Sequence, residues 1–192
     1  NGSTYPGSTP GAQVVVRREP LGVILAICPW NFPLAIHLWK AAPALAYGNA
    51  VIIKPASPAI ATAALLHECA EEALPAGVLG QLVMSGAQAG ELLDDERIAA
   101  ASFTGSTEVG LSVAERLARR AAPAQAEMGG QNPAIVLADA DLEAAADAIV
   151  SGAMSFAGQK CTATRRVIVL EEVAETMDRL LAERIEALVV GD

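Results

Sequence analysis

Ile98-Ala99-Ala100-Ala101-Ser102-Phe103-Thr104-Gly105-Ser106-Thr107-Glu108-Val109-Gly110 is the stretch whose reading decides the fold. Ile98 to Phe103 reads as a buried strand, Thr104-Gly105-Ser106 as a turn, and Thr107 to about Arg120 as a helix. A strand that ends in a glycine turn and opens a helix is the unit of nucleotide-binding α/β folds. Backbone N–H groups at such a helix start favour phosphate. The usual GxGxxG spacing is absent, and Gly105-Ser106-Thr107-Glu108-Val109-Gly110 stands in its place. A glycine-capped helix without a ligand is the other reading of that spacing.

The same alternation extends in both directions. Gly22 to Cys28 is an apolar run rich in Val and Ile, hence a buried strand, stopped by Pro29. Pro29-Trp30-Asn31-Phe32-Pro33 cannot be helical across both prolines, and Pro33 then suits a first helical position. That helix carries Leu34, Leu38 and Leu45, with a kink expected near Pro43, and Gly48-Asn49 breaks it. Ala50 to Lys54 is a second buried strand. Ser57-Pro58 opens a helix through Ala59 to Leu74, with Ser57 as its N-cap. A strand over Gln81 to Met84 and a helix near Ala89 to Leu93 lead into the central stretch. Beyond it, Gln125 to Met128, Ala134 to Leu137 and Arg166 to Leu170 are strand-like. Asp141 caps a helix to about Ala157, and Glu175 to Leu188 is a terminal amphipathic helix.

This alternation predicts an α/β fold, a Rossmann-like parallel sheet with helices on both faces. Residues 1–20 read as a Gly/Ser/Pro-rich loose end plus an exposed strand over Gln13 to Arg18. Residues 21–129 form the expected nucleotide-binding domain, and residues 130–192 the beginning of a second α/β layer. The boundary falls at Gly129-Gly130.

The chain has 192 residues, enough for a sizeable core. With hydrophobic residues at 53% and aromatics at 4%, that core is built from Ala, Val, Leu and Ile. A net charge of −9 argues against a nucleic-acid partner. No apolar run reaches the roughly 20 residues of a membrane span. The three cysteines form no CxxC pair and no metal-ligand pattern with His37 or His67, so no metal is expected. Their odd number suits a reducing cytoplasm. Cys28 and Cys69 read as packing residues, and the two histidines carry no assigned role.

Chemistry points to Gly158-Gln159-Lys160-Cys161-Thr162-Ala163-Thr164. Cys161 is the one cysteine set among small and polar residues. A thiolate attacks carbonyl carbon readily, Lys160 could supply positive charge, and Gly158 lets backbone approach closely. A small buried core residue is the alternative. Upstream, Glu127 meets Gly129-Gly130, where a mobile carboxylate could activate water against a thioester. A solvated carboxylate at a strand end is the plainer alternative.

Five motifs make the chain resemble the aldehyde dehydrogenase superfamily. They are Pro29-Trp30-Asn31-Phe32-Pro33, Lys54-Pro55-Ala56, Phe103 to Gly110, Glu127-Met128-Gly129-Gly130 and Gly158-Gln159-Lys160-Cys161. They occur in the family's order, across Leu21 to Arg166. The resemblance implies that Cys161 is the nucleophile and Glu127 the base. Asn31, with the Cys161 backbone N–H, would hold the oxyanion. It implies NAD or NADP as cofactor, with Trp30 and Ser106 at the pyrophosphate and Lys54 at the adenosine ribose. Ile27, Pro29, Ala56, Gly86, Gly90, Phe103, Thr104, Gly105, Val109 and Met128 complete the implied cofactor site. Ser57 stands where NAD-restricted members tend to carry Glu. A Ser can donate to a 2′-phosphate that Glu would repel, which favours NADP.

The implied reaction oxidises a small aldehyde to the acid through a thiohemiacetal and a thioester. Gln125 to Gly130 and Gly158 to Ala163 are closest to the 2-oxoglutarate semialdehyde and succinate semialdehyde branches. A coenzyme A-acylating relative is the alternative, disfavoured by the hydrolytic Glu127. A non-catalytic binding or structural protein is another, disfavoured by Cys161, Glu127 and Asn31 occurring together. Family members are more than twice this length, so the chain is expected to be a middle piece and catalytically silent by itself. The whole protein would be a homodimer or homotetramer, with residues 1–20 in a segment that pairs between subunits.

Overall fold

The computed structural model describes residues 2–191, so Asn1 and Asp192, at the ends of the expected first and last segments, lie outside it. The chain divides between Glu127 and Met128 into two units, two residues ahead of Gly129-Gly130.

The first unit opens with a hairpin. Strands β1 (Gly2–Pro6) and β2 (Gln13–Arg17) pair antiparallel, with Gly2 opposite Arg17 and Pro6 opposite Gln13. The Gly/Ser/Pro-rich composition argues for a loose end where β1 forms. Pairing with the β-branched run Val14-Val15-Val16 overrides it. Glycine also suits the close approach, since a Cβ on Gly2 would collide with the Val16 carbonyl.

The remaining elements of this unit alternate. They are β3 (Val23–Ile27), α1 (Ala35–Ala46), β4 (Ala50–Lys54), α2 (Ile60–Glu71), β5 (Leu79–Gln81), α3 (Gly86–Leu93), β6 (Ile98–Gly105), α4 (Thr107–Ala118) and β7 (Ala124–Met128). The sheet order is β5-β4-β3-β6-β7. β3 runs parallel to both β4 and β6, and β4 parallel to β5. The chain therefore builds outward from β3 to β5, then returns to the other side of β3 for β6. In such sheets ligands bind outside the carboxyl ends of the strands at this reversal. Register sets the row there: Ile27 lies opposite Lys54 on one side and Phe103 on the other. Leu25 and Ala26 on the central strand are wholly buried, as both-face burial of a parallel sheet requires.

Several boundaries differ from the sequence reading. α1 is drawn from Ala35 rather than Pro33, although the Ile36 N–H already bonds the Phe32 carbonyl (3.1 Å). Pro43 sits inside α1. Ser57 does not cap α2. It is the first residue of a short 3₁₀ turn, Ser57–Ala59, with extended Ala56 in the cap position and no side-chain cap bond. β5 ends at Gln81 rather than starting there, because its pairing with β4 runs from Val51–Leu79 to Ile53–Gln81. Cys69 is exposed on α2, not packed, whereas Cys28 is buried.

The second unit is a βαβ unit with a following helix: β8 (Asn132–Val136), α5 (Leu142–Met154), β9 (Thr164–Val169) and α6 (Glu171–Glu186). β8 and β9 pair in parallel. The Asp141 carboxylate caps α5 by accepting the Ala144 N–H (3.1 Å), worth about 1 kcal/mol. Val136, Ala146, Ile149, Met177 and Leu180 form the core. Ile135 and Ile168, one step along their strands from inward residues, face out. α5 stops at Met154, short of the expected Ala157, because Phe156 and Ala157 take positive φ of 62° and 52°. α6 begins at Glu171, four residues early, with Glu171 and Glu172 placed favourably toward the helix N-terminus.

Candidate functional site

A cleft of about 590 Å³ opens at the carboxyl ends of β3, β4 and β6, beside α3 and the start of α4. That volume falls within the range of small-molecule sites, roughly 300–1,000 Å³. Twelve of the fourteen residues assigned to the cofactor line it: Ile27, Pro29, Trp30, Lys54, Ala56, Gly86, Gly90, Phe103, Thr104, Gly105, Ser106 and Val109. Ser57 is the exposed residue beside Ala56, and Met128 is the first residue of the other unit.

Each wall has a local cause. Phe103 is buried at the end of β6, and a Cβ on Gly105 would stand only 2.6 Å from its ring. Glycine is therefore what the strand end admits. Ser106 caps α4, its Oγ accepting the Val109 N–H over a long 3.4 Å. Ser85 and Gln88 form a reciprocal capping box at the start of α3. Arg116 ties the two helices, donating to the Gly90 carbonyl (3.1 Å) and the Asp94 carboxylate (2.6 Å). Lys54 and Arg116 bring positive charge, and the α4 N-terminus adds its dipole, which together suit a phosphorylated ligand. Ser112 and Arg116 also line the cleft and were not anticipated. Their signal was helical spacing, since Glu108, Ser112 and Arg116 recur every four residues on one face of α4.

The second unit holds Cys161, exposed, in the connection from α5 to β9. Phe156, Ala157 and Gly158 all adopt left-handed φ before it (62°, 52° and 66°). A Cβ on Gly158 would lie 3.0 Å from the Ala153 carbonyl, so both conformation and space select glycine. Polar ties fix the loop. The Asn132 amide donates to the Cys161 carbonyl (2.6 Å) and the Ala163 carbonyl (3.0 Å). Arg165 donates to the Gly158 carbonyl (2.9 Å), and Arg166 to the Gln131 carbonyl (3.2 Å). The Lys160 ammonium donates to Ser155 Oγ (2.6 Å). Asn132 ties down the Cys161 loop, and no motif pointed to it, because it reaches the loop across β8–β9 pairing rather than along the chain.

The other two cysteines behave differently. Burial pushes the Cys28 thiol up to about 12, against the pull of the Lys40 and Lys54 charges, which keeps it an unreactive thiol. Cys69 is exposed on a helix. Asn31 lies in the loop after Trp30, and Glu127 is exposed on β7, with Gln125 on the same face two residues away. Both belong to the first unit and Cys161 to the second.

The whole chain matches the family model described as "Aldehyde dehydrogenase family", over residues 1–192. It is 46% identical to the alpha-ketoglutaric semialdehyde dehydrogenase of Bacillus subtilis, covering 100% of this chain and 40% of that protein. It is 41% identical to the 2,5-dioxopentanoate dehydrogenase of Saccharolobus solfataricus, covering 100% and 41%. Among solved structures it superposes on an E. coli NADP dependent enzyme with a TM-score of 0.94 at 36% identity, covering 100% of this chain and 40% of that one. The chain thus spans about 40% of the length of the relatives it matches. With the motif residues gathered at the strand ends and the match unbroken along its length, the chain belongs to the aldehyde dehydrogenase family.

Proposed function

We propose that the protein carrying this chain oxidises an aldehyde, of the semialdehyde class, to its carboxylic acid with NADP or NAD. The observation that carries this reading is the cleft at the sheet's reversal point, lined by Lys54, Trp30, Gly105 and the α4 N-terminus. Its size, its cations and its glycine-shaped floor fit a dinucleotide, whose phosphates would meet Ser106 and the α4 N–H groups. A bound nicotinamide supplies the hydride acceptor. The family uses either dinucleotide. NADP is favoured by Ser57, an exposed hydroxyl beside the cleft residue Ala56, in place of a carboxylate that would repel a 2′-phosphate.

In this reading the Cys161 thiolate attacks the aldehyde carbon. The Asn31 amide and the Cys161 backbone N–H hold the resulting oxyanion. Loss of hydride from that carbon leaves a thioester on Cys161. Glu127 then takes a proton from water, the hydroxide adds to the thioester, and the thiolate leaves with the acid released. The similarity to two dehydrogenases named for the same C5 dioxo acid supports a semialdehyde that carries a carboxylate.

A panel of aliphatic, aromatic and acid-bearing semialdehydes, each assayed with both dinucleotides, tests this directly. The expected result is highest kcat/KM for a semialdehyde bearing a remote carboxylate, with NADP preferred. Equal or better use of uncharged aldehydes overturns the substrate class. NAD preference overturns the reading of Ser57.

A further inference from the structure

A chain of polar side chains runs from α1 through β6 to β7, and the reaction as described uses only its last member, Glu127. Lys40, on α1, is buried with only 8% of its surface exposed, and Ser102, on β6, is equally buried. The Lys40 ammonium donates to Ser102 Oγ (2.7 Å). The Ser102 hydroxyl donates to Gln125 Oε1 (2.7 Å), and Gln125 Nε2 donates to Glu127 Oε1 (3.4 Å). Four residues from three elements thus form one line that ends on the carboxylate assigned as the base.

The polarity of this line is fixed by its ends. An ammonium can only donate, so Ser102 must accept from it and turn its own proton onward. The Gln125 carbonyl must then face Ser102, which leaves its NH₂ group aimed at Glu127. A carboxylate can only accept, which closes the sequence without a conflict. Reversing any one link would leave two donors facing each other at Lys40 or two acceptors facing each other at Glu127. Strand geometry supplies the alignment, since Gln125 and Glu127 are two apart on β7 and share a face.

We propose that Ser102 and Gln125 are positioning residues for deacylation: they form a one-way hydrogen-bond line from buried Lys40 that holds one oxygen of the Glu127 carboxylate and leaves the other to face water. This rests on the reading of Glu127 as the base. An amide in the line makes it a holder and not a proton conduit. The last link is the longest, so the carboxylate is steered and not locked. Burial pushes the Lys40 ammonium below the ordinary lysine range, and the negative charge of Glu127 opposes that shift, which couples the two ends of the line electrostatically.

The experiment uses the active full-length enzyme that carries this chain, with rapid-quench measurement of thioester and stopped-flow measurement of reduced cofactor. Gln125→Leu is expected to keep the rate of the first hydride transfer, to accumulate thioester, and to lower the steady-state rate about 10-fold. Ser102→Ala is expected to do the same more weakly, and Ser102→Thr, which keeps the hydroxyl, to restore the steady rate. Because the line acts through Glu127, the double variant Gln125→Leu/Glu127→Gln should be no slower than Glu127→Gln alone. Wild-type turnover in Gln125→Leu, equal slowing of both steps, or additive losses in the double variant each overturn the proposal. Failure of Glu127→Gln itself to accumulate thioester overturns the reading of the base, and the two failures are thereby told apart.

Discussion

At the cleft on the strand ends the backbone is regular, and burial holds the walls. Ile27 and Phe103 flank the site on adjacent parallel strands, Arg116 laces α4 to α3, and glycine at 105 is set by a neighbouring ring. At the Cys161 loop the backbone passes through three left-handed residues, the cysteine is exposed, and polar ties fix the loop. A non-glycine residue in that conformation costs on the order of 1 kcal/mol or more, so Phe156 and Ala157 store strain that the ties must hold. The lesson is that the proposed binding cleft and the proposed catalytic loop are built to different standards. The cleft is shaped by the packing of regular elements. The loop is held by a few hydrogen bonds that present one sulfur atom.

If that division is right, the two functions separate by mutation. Cys161→Ala should lower turnover on the order of 10³-fold or more while leaving the dinucleotide Kd unchanged. Fluorescence titration beside steady-state kinetics makes the check, and a parallel loss of binding would break the division. Gly105→Ala should do the reverse. A Cβ 2.6 Å from the Phe103 ring forces a shift at the cleft floor, expected to weaken dinucleotide binding about 10-fold through roughly 1–3 kcal/mol of overpacking. Unchanged affinity would mean that the ring simply turns aside.

Asn132→Ala removes both amide ties to the loop, at about 1–2 kcal/mol. The expected outcome is a kcat roughly 10-fold lower from a misplaced nucleophile, with dinucleotide Kd intact. A normal kcat would show that the left-handed run holds itself.

The smallest effect concerns a buried histidine on α1. His37 on α1 is fully buried, and neither ring nitrogen has a hydrogen-bond partner among the described residues. Burial lowers its pKa from 6.5. The folded protein thus binds this proton less readily than the unfolded chain does. Its contribution is fully present above pH 6.5 and is lost as pH falls through the lowered value. Thermal unfolding followed from neutral pH to about pH 5 should show Tm dropping, and His37→Leu should flatten that drop. An unchanged slope in the variant would assign the acid sensitivity elsewhere.

Much of this was legible in the sequence, for identifiable reasons. β3, β4 and β6 are largely apolar runs, β3 and β4 followed closely by proline and β6 ending in Gly105, so their existence and the resulting strand ends could be read directly. The cleft residues follow from those ends. What stayed hidden depends on pairing between distant segments. β1 is a strand only because β2 lies against it. Asn132 reaches Cys161 across a sheet, and Lys40, Ser102 and Gln125 meet from three separate elements. Ser57 was misplaced by one residue because Ala56, without a capping side chain, takes the extended cap conformation. Cys69 looked like a core residue because its alanine-rich helix gives little contrast between its two faces.

The most direct test of the central claim asks which sulfur carries the acyl group. The active enzyme is mixed with aldehyde and dinucleotide, quenched during turnover, digested and mapped by mass spectrometry. The account predicts an acyl adduct on Cys161 alone, enriched in Glu127→Gln. An adduct on exposed Cys69 or buried Cys28, with Cys161 unmodified, would contradict it.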